Sequence, residues 1–217
     1  MLKELCKLNG IEITNGQLEK FETYKNLMKK WGKRINITSI LDDEGIEKKH
    51  FFDSLAGIIA FKKSKTPFKN KLIADIGSGG GFPGIPLAIT VPESKFTLIE
   101  PRHKRVVFLE QVKRALNLHN VEIIGKRVEE IKDKKFDLLT MRAVENPKTA
   151  TKLTEFLIKN GAILCIYRGK EPFLEKIANY KVKIIELNLK GVEFKRHFIF
   201  IDKHKDGEKE NEYGKNR

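Results

Sequence analysis

A glycine-rich stretch, DIGSGGGFPG at residues 75–84, contains residues that suit a ligand site. Three of its glycines can adopt dihedral angles that other residues avoid and let the backbone approach a bound molecule closely: Gly77, Gly79 and Gly81. One acid, Asp75, stands directly before these glycines, and a second acid, Glu100, follows the next apolar run. In nucleotide-binding folds a carboxylate at that second place accepts hydrogen bonds from a ribose diol. These residue types predict a site for a molecule that contains a nucleoside.

Three ligand classes use a glycine loop of this kind. A P-loop needs Gly-Lys-Ser/Thr to bind phosphates and Mg²⁺, whereas this loop continues Gly81-Phe82-Pro83-Gly84. A dinucleotide loop places a pyrophosphate against a helix N-terminus, where the charge of Asp75 is unfavourable. S-adenosylmethionine carries an ammonium group and a sulfonium but no phosphate, so an acid at the mouth of the loop stabilises it, directly or through water. The two acids therefore favour an S-adenosylmethionine-dependent methyltransferase.

The elements that must position these residues alternate between strands and helices. Short apolar runs predict five strands: 71–76, 96–100, 121–125, 136–141 and 162–167. Helical patterns between them, as at 103–117 and 147–161, predict right-handed βαβ units and a parallel sheet. Two further strand-like runs, 181–189 and 197–202, are joined by a segment too short for a crossover helix, so they predict an antiparallel pair at the sheet edge.

The region before the sheet is helical. Apolar residues recur at helical spacing over 14–31, where Thr14 or Asn15 can act as N-cap, and again after Asp42 and Asp43. We therefore predict an α/β, Rossmann-like class I methyltransferase fold: a mostly parallel seven-stranded sheet with an antiparallel edge strand, preceded by an N-terminal helical segment. The predicted organisation is a helical extension at 1–68, a cofactor-binding core at 69–203 and a disordered polar tail at 204–217.

The charge of the chain predicts a polyanionic partner. Lys and Arg number 43 against 29 Asp and Glu, which gives a net charge of +14. RNA, DNA and an anionic membrane surface all fit such an excess, and so does a lysine-rich surface that only solvates the protein. The longest apolar run, at 55–61, is too short to span a bilayer, and Cys6 and Cys165 form no metal or disulfide motif. The expectation is a cytoplasmic protein without a membrane segment or a bound metal.

Several separate motifs point to one family: WGKRINITSI, KHFFDSL, DIGSGGGFPGIPLA, KRVVFLEQVKRALNL, GKRVEE and FDLLTMRAV. With these motifs the chain resembles, from about residue 18 to residue 201, the small-subunit (16S) ribosomal RNA guanine-N7 methyltransferases of the RsmG or GidB type. The resemblance implies transfer of a methyl group from S-adenosylmethionine to N7 of a guanine, position 527 in the family. Guanine N7 has an exposed lone pair, so the reaction needs proximity and orientation but no general base.

The resemblance also implies roles for individual residues. Gly77 and Phe82 border the methionine and ribose portion of the cofactor beside Asp75, Gly79 and Glu100. Val128 and Glu129 lie beside the adenine. Arg142 lies by the reacting centre and is the candidate catalytic residue as well as a cofactor contact.

Six further residues are candidates for holding RNA. Three match family positions in the N-terminal segment: Asn36, His50 and Asp53. Three are arginines whose guanidinium groups can stack on a base and donate hydrogen bonds to it: Arg127, Arg168 and Arg196. The expected partner is 16S rRNA or the small subunit, bound by a monomer. Two alternatives stay open, which are a non-catalytic RNA-binding or ribosome-assembly module on the same fold and a methyltransferase of another substrate.

Overall fold

The structure is a computed structural model that describes residues 1–169, 177 and 179–203. The predicted polar tail at 204–217 lies outside the described residues.

The N-terminal region is helical, as predicted, and contains a π-helical segment that the sequence pattern does not indicate. Its elements are α1 (Leu2–Leu8), α2 (Asn15–Ile35), α3 (Asp43–Gly45), the π-helical segment (Ile46–Phe52) and α4 (Asp53–Ser64). Thr14 caps α2 in a capping box, in which its hydroxyl accepts from the backbone N–H of Gln17 and the Gln17 side chain accepts from the N–H of Thr14. The helix continues past Trp31 to Ile35, and its C-cap residue Asn36 has a left-handed φ of 47°.

A seven-stranded sheet forms the centre of the protein. Its strands are β1 (Leu72–Ile76), β2 (Lys95–Ile99), β3 (Val121–Ile124), β4 (Leu138–Arg142), β5 (Ile163–Arg168), β6 (Tyr180–Asn188) and β7 (Lys195–Lys203), in the order β3-β2-β1-β4-β5-β7-β6. Strands β1 to β5 are parallel, and β7 is antiparallel to both β5 and β6. The predicted antiparallel pair at the edge is confirmed, although the strand that runs in the opposite direction is second from the edge.

The connections between the parallel strands differ in length. Helices α5 (Gly84–Thr90), α6 (His103–Ala115) and α7 (Pro147–Lys159) follow β1, β2 and β4. Only a 3₁₀ turn (Val128–Glu130) stands between β3 and β4. Asn146 and Pro147 start α7 as the sequence pattern predicts, with the Asn146 side chain accepting from the N–H of Lys148 at 2.8 Å.

The two faces of the sheet belong to two apolar cores. On one face, side chains such as Ile73 pack with the N-terminal helices, α5 and α6. On the other face, side chains such as Ala74 pack with α7 and with the segment between β3 and β4. The N-terminal helices thus share one core with the sheet, and the division of the chain at residues 68 and 69 stays a prediction.

Candidate active site

The glycine loop, residues 77–83, crosses the carboxyl ends of β1 and β2. The N–H groups of Gly77 and Ser78 both donate to the carbonyl of Ile99, at 2.8 and 3.2 Å. Gly77 and Gly79 have φ angles of 69° and 58°, and the space that a Cβ of Gly77 would enter is open to 4 Å. The loop therefore presents the exposed Gly77 and the half-buried Gly79 at the rim where doubly wound folds bind their ligands.

Glu100 ties the loop to the end of β2. Its Oε2 accepts from the N–H of Gly79 at 2.8 Å, its Oε1 accepts from the N–H of Arg102 at 2.9 Å, and the side chain of Arg105 lies 3.7 Å from Oε2. Glu100 is only 2% exposed. An ionised carboxylate has about four acceptor positions, so each oxygen retains capacity for a hydroxyl donor. These contacts hold Glu100 against the loop. Because its side chain has almost no exposed surface, its contact with a ribose diol stays a prediction.

Asp75 lies beneath the glycine loop, and its predicted position at the mouth of the loop is wrong. Its side chain has no exposed surface. Oδ1 accepts from the Thr140 hydroxyl at 2.9 Å, and Oδ2 accepts from the N–H of Gly84 at 3.1 Å. Burial raises the pKa of the Asp75 carboxyl to about 6, against the opposing effect of these hydrogen bonds. Asp75 thus joins β1 to β4 and to the start of α5, and it has no surface for direct contact with a ligand.

An aromatic stack supports the loop from below. Phe82 is 6% exposed and stacks on Tyr24, with ring centroids 5.5 Å apart, and on His50, at 4.7 Å. The Tyr24 hydroxyl donates to the carbonyl of Gly80. Phe82 therefore packs mainly inside the protein, where the resemblance implies a border to the cofactor. The sequence analysis missed Tyr24, although its spacing from Phe21 and Met28 places it on the buried face of α2.

We expect Tyr24→Phe to lower the free energy of unfolding by about 1–3 kcal/mol, because the buried Gly80 carbonyl then loses its donor. Urea unfolding followed by the fluorescence of Trp31 measures this change. Tyr180→Phe is the matched control, because that hydroxyl donates to Glu155 at 3.2 Å on the partly exposed edge of the sheet. A change within about 0.5 kcal/mol is expected for the control. Equal changes for the two variants would contradict a special role of Tyr24.

Arg142, at the end of β4, contacts the N-terminal helical segment. Its Nη1 donates to the carbonyl of Lys49 and to Oδ2 of Asp53, both at 3.3 Å. Its Nη2 lies 3.3 Å from Nδ1 of His50, and its Cζ lies 4.9 Å from the centre of the Phe82 ring. The guanidinium thus joins the π-helical segment, α4 and the glycine loop. We call His50, Asp53, Phe82, Arg142 and Arg196 the arginine cluster.

His50 is a neutral hydrogen-bond acceptor for Arg142. Because a guanidinium only donates, Nδ1 of His50 accepts from Arg142, and the protonated Nε2 donates to the Thr38 hydroxyl at 2.8 Å. Burial, and secondarily the charge of Arg142, lower the pKa of His50 to about 4. The ring therefore adds no charge to the site at neutral pH.

The stabilising effect of His50 is expected to weaken in acid. The unfolded chain protonates His50 below about pH 6.5, whereas the folded protein does so only near pH 4. The contribution is therefore complete above pH 6.5 and is lost as the pH falls towards 4. The difference in unfolding free energy between wild type and His50→Asn should be smaller at pH 5 than at pH 7, by up to about 2 kcal/mol.

Comparing wild type with His50→Asn separates the pH dependence caused by His50 from that caused by Asp75. The raised pKa of Asp75 means that the folded state holds its proton in the same pH range, which changes stability with the opposite sign. Asp75 is present in both proteins, so its contribution cancels in the comparison. Urea titrations at the two pH values measure the effect, and a difference that does not depend on pH would contradict it.

Asp53 is buried between two arginines. It is 3% exposed, its Oδ1 accepts from Nε of Arg196, and its Oδ2 accepts from Arg142. The Arg196 guanidinium also lies 4.3 Å from the centre of the Phe194 ring. The structure thus brings together four residues that the sequence analysis names as separate candidates: His50, Asp53, Arg142 and Arg196. It corrects the prediction that Asp53 itself faces the substrate, because the carboxylate has almost no exposed surface.

The other candidate residues do not join the arginine cluster. Arg168 ends β5, and its Nη1 donates to the carbonyls of Val144 and Glu145 in the loop before α7. Arg127 and Glu129 are exposed and Val128 is buried in the turn after β3. Asn36 is exposed at the end of α2.

Neither a metal site nor a membrane segment is found in the part of the chain that the structure describes. Across residues 1–169, 177 and 179–203, no three or more His, Cys, Asp or Glu side chains are grouped as a metal ion requires. In the same residues no helix combines the length and apolar character needed to cross a bilayer.

The fold is that of the Rossmann-like class I methyltransferases. A precorrin-6y C5,15-methyltransferase from Geobacter metallireducens superimposes with a TM-score of 0.51 at 16% identity, over 68% of this chain and 88% of that one. A mutant form of MtNAS in complex with S-adenosylmethionine superimposes with a TM-score of 0.57 at 15% identity, over 87% of this chain and 72% of that one. At these identities the likeness concerns the fold.

Sequence comparison defines the family. Residues 17–199 match the family model GidB, described as rRNA small subunit methyltransferase G. Ribosomal RNA small subunit methyltransferase G of Clostridium perfringens (strain SM101 / Type A) is 35% identical over 94% of this chain and 90% of its own length. The protein of that name from Staphylococcus epidermidis (strain ATCC 35984) is 33% identical over 96% of this chain and 91% of its own length. The chain belongs to the rRNA small subunit methyltransferase G family.

Proposed function

We propose that this protein transfers a methyl group from S-adenosylmethionine to N7 of a guanine in 16S rRNA of the small ribosomal subunit, position 527 by family resemblance. The observation that carries the proposal is the match of residues 17–199 to one rRNA methyltransferase family, together with a glycine loop and an arginine cluster at one rim of the sheet. The proposal includes action as a monomer in the cytoplasm.

The residues around the glycine loop fit S-adenosylmethionine. Gly77 has no atom within 4 Å of the position that a Cβ would take, and Gly79 lies beside the Arg105 side chain. Glu100, which accepts from the N–H of Gly79, is the proposed acceptor for the ribose hydroxyls. Val128 and Glu129, in the turn after β3, are the proposed neighbours of the adenine. When bound, this cofactor supplies a methyl group on a positively charged sulfur, which becomes a neutral thioether after transfer.

The protein itself has a positioning role in the proposed reaction. The N7 lone pair of guanine forms the new bond to carbon, so the chain need not remove a proton. Arg142 is the residue of the cluster proposed to contact the base, because its side chain is 20% exposed at the rim while Phe82 and His50 fix it from behind. Its N–H groups can donate to O6 of the base, and its plane can stack on the ring.

Exposed basic residues at the same rim support an RNA substrate. They follow β2 (Arg102, His103 and Lys104), follow β3 (Lys126 and Arg127) or begin the antiparallel β7 (Lys195). Cationic side chains in such an arrangement bind RNA phosphates, and their contribution falls as the salt concentration rises. The net charge of +14 agrees with this interpretation.

The decisive experiment incubates the protein with labelled S-adenosylmethionine and small subunits that lack the modification, and then maps the labelled nucleotide. Label on N7 of one guanine in 16S rRNA is the expected result. RNA binding without transfer would favour a non-catalytic assembly module. Transfer only to another RNA, a protein or a small molecule would favour a different substrate. The absence of a thermal shift with S-adenosylmethionine or its demethylated product would overturn the proposed cofactor.

A further inference from the structure

Methylation at N7 changes the charge of the base. The N7 lone pair becomes the new N–C bond, the electron pair of the broken C–S bond stays on sulfur, and no proton moves. Guanine therefore changes from a neutral base to a cation. If the base lies at Arg142, as the proposed function requires, a positive charge grows beside a guanidinium, which raises the energy of the transition state.

Asp53 carries the negative charge that opposes this effect. One of its carboxylate oxygens accepts a hydrogen bond from Arg142 on β4, and the other accepts from Arg196 on β7. The side chain of Asp53 is 4% exposed, against 20% and 18% for the two arginines. Water therefore screens Asp53 poorly, and its field acts on both guanidinium groups and on the space next to them.

The direct partners of Arg142 other than Asp53 are uncharged, although the buried Asp75 carboxyl also interacts electrostatically with Arg142. His50, which accepts from Arg142, is neutral because its pKa is lowered to about 4. The remaining partners of the guanidinium are the Lys49 carbonyl and the Phe82 ring, which are uncharged. Asp53, Arg142 and Arg196 together have a net charge of +1, and without Asp53 the same site would have +2.

We infer that Asp53 is a positioning residue that fixes Arg142 and Arg196 at the rim and offsets their charge while the base becomes a cation. This inference rests on the proposed function and goes beyond it. A purely structural role of Asp53 would make the rate of methyl transfer and the affinity for RNA fall together, whereas this inference predicts different changes in the two. Loss of the carboxylate charge should slow transfer at saturating RNA, whereas the affinity for RNA should hold or increase because the site becomes more positive.

Asp53→Asn tests this separation, since it keeps the shape of the side chain and removes its charge. At saturating RNA and S-adenosylmethionine, we expect the single-turnover rate to fall at least tenfold. The dissociation constant of the small subunit should stay within threefold of wild type or become lower. Asp53→Glu, which restores the charge, should recover most of the lost rate even if its longer side chain lowers the melting temperature.

Asp43→Asn is the matched control. Asp43 stands on the same helical segment but is 58% exposed and pairs with Lys29 at 2.8 Å, so its loss raises the net charge by the same amount away from the arginine cluster. The single-turnover rate of Asp43→Asn should stay within twofold of wild type. A rate for Asp53→Asn within threefold of wild type would overturn the inference, as would a loss of rate and RNA affinity in equal proportion. If the wild type itself transfers no methyl group to guanine N7, the proposed function fails instead.

Discussion

Arg142→Ala is expected to reduce the single-turnover rate of methyl transfer about 100- to 1000-fold, the effect typical of losing one preorganised donor at a reacting centre. This corresponds to about 3–4 kcal/mol of transition-state stabilisation. The reason is the position of the guanidinium, which joins the π-helical segment, α4 and the glycine loop and keeps part of its surface at the rim. The rate should be measured with saturating S-adenosylmethionine and small subunits, so that weaker binding does not contribute.

Two further variants separate this role from a general effect of losing an arginine. Arg142→Lys keeps a positive charge but lacks the planar group that contacts Lys49, His50 and Asp53 together, so it should recover little of the rate. Arg114→Ala removes an exposed arginine at the far end of α6 and should leave the rate unchanged. A rate for Arg142→Ala within threefold of wild type would show that Arg142 does not stabilise the transition state of methyl transfer.

The fold could be predicted because its determinants are local. The five parallel strands are short apolar runs separated by helical patterns, and each run is found as a strand. The antiparallel pair at the edge could be predicted for the same reason, since the segment between β6 and β7 is too short for a crossover helix. The π-helical segment at Ile46–Phe52 could not be predicted, because a change in backbone hydrogen bonding leaves little trace in the spacing of apolar residues.

The arrangement of the candidate site depends on contacts between distant parts of the chain. Asp53 and Arg196 are 143 positions apart, and nothing near either residue indicates that the two pair. The sequence predicts Asp75 at the mouth of the loop because it precedes the glycines, but its partner Thr140 comes from the neighbouring strand and holds the carboxylate inside. Sequence motifs thus identify residues of the site, while burial and long-range pairing decide which of them face the cleft.

Gly81→Ala is expected to lower the stability of the protein more than Gly77→Ala in the same loop. Gly81 has a φ of 95°, which a side chain makes costly by about 1–2 kcal/mol. A Cβ there would also lie 2.7 Å from the Tyr24 hydroxyl and 2.7 Å from the side chain of Ile85. Both neighbours are buried, so crowding adds about 1–3 kcal/mol. The Tyr24 hydroxyl would have to leave the Gly80 carbonyl, which also disturbs the loop that fits the cofactor.

Gly77→Ala provides the matched comparison. Gly77 has a similar left-handed φ of 69°, yet no atom lies within 4 Å of the Cβ position. It therefore shares the backbone strain of Gly81→Ala without the crowding. In thermal unfolding, each 1 kcal/mol corresponds to roughly 2–4 °C for a chain of this size. Without added cofactor, Gly81→Ala should therefore melt several degrees below Gly77→Ala. Equal melting temperatures would mean that Tyr24 and Ile85 move aside freely, and that contact with the aromatic stack does not hold the loop in place.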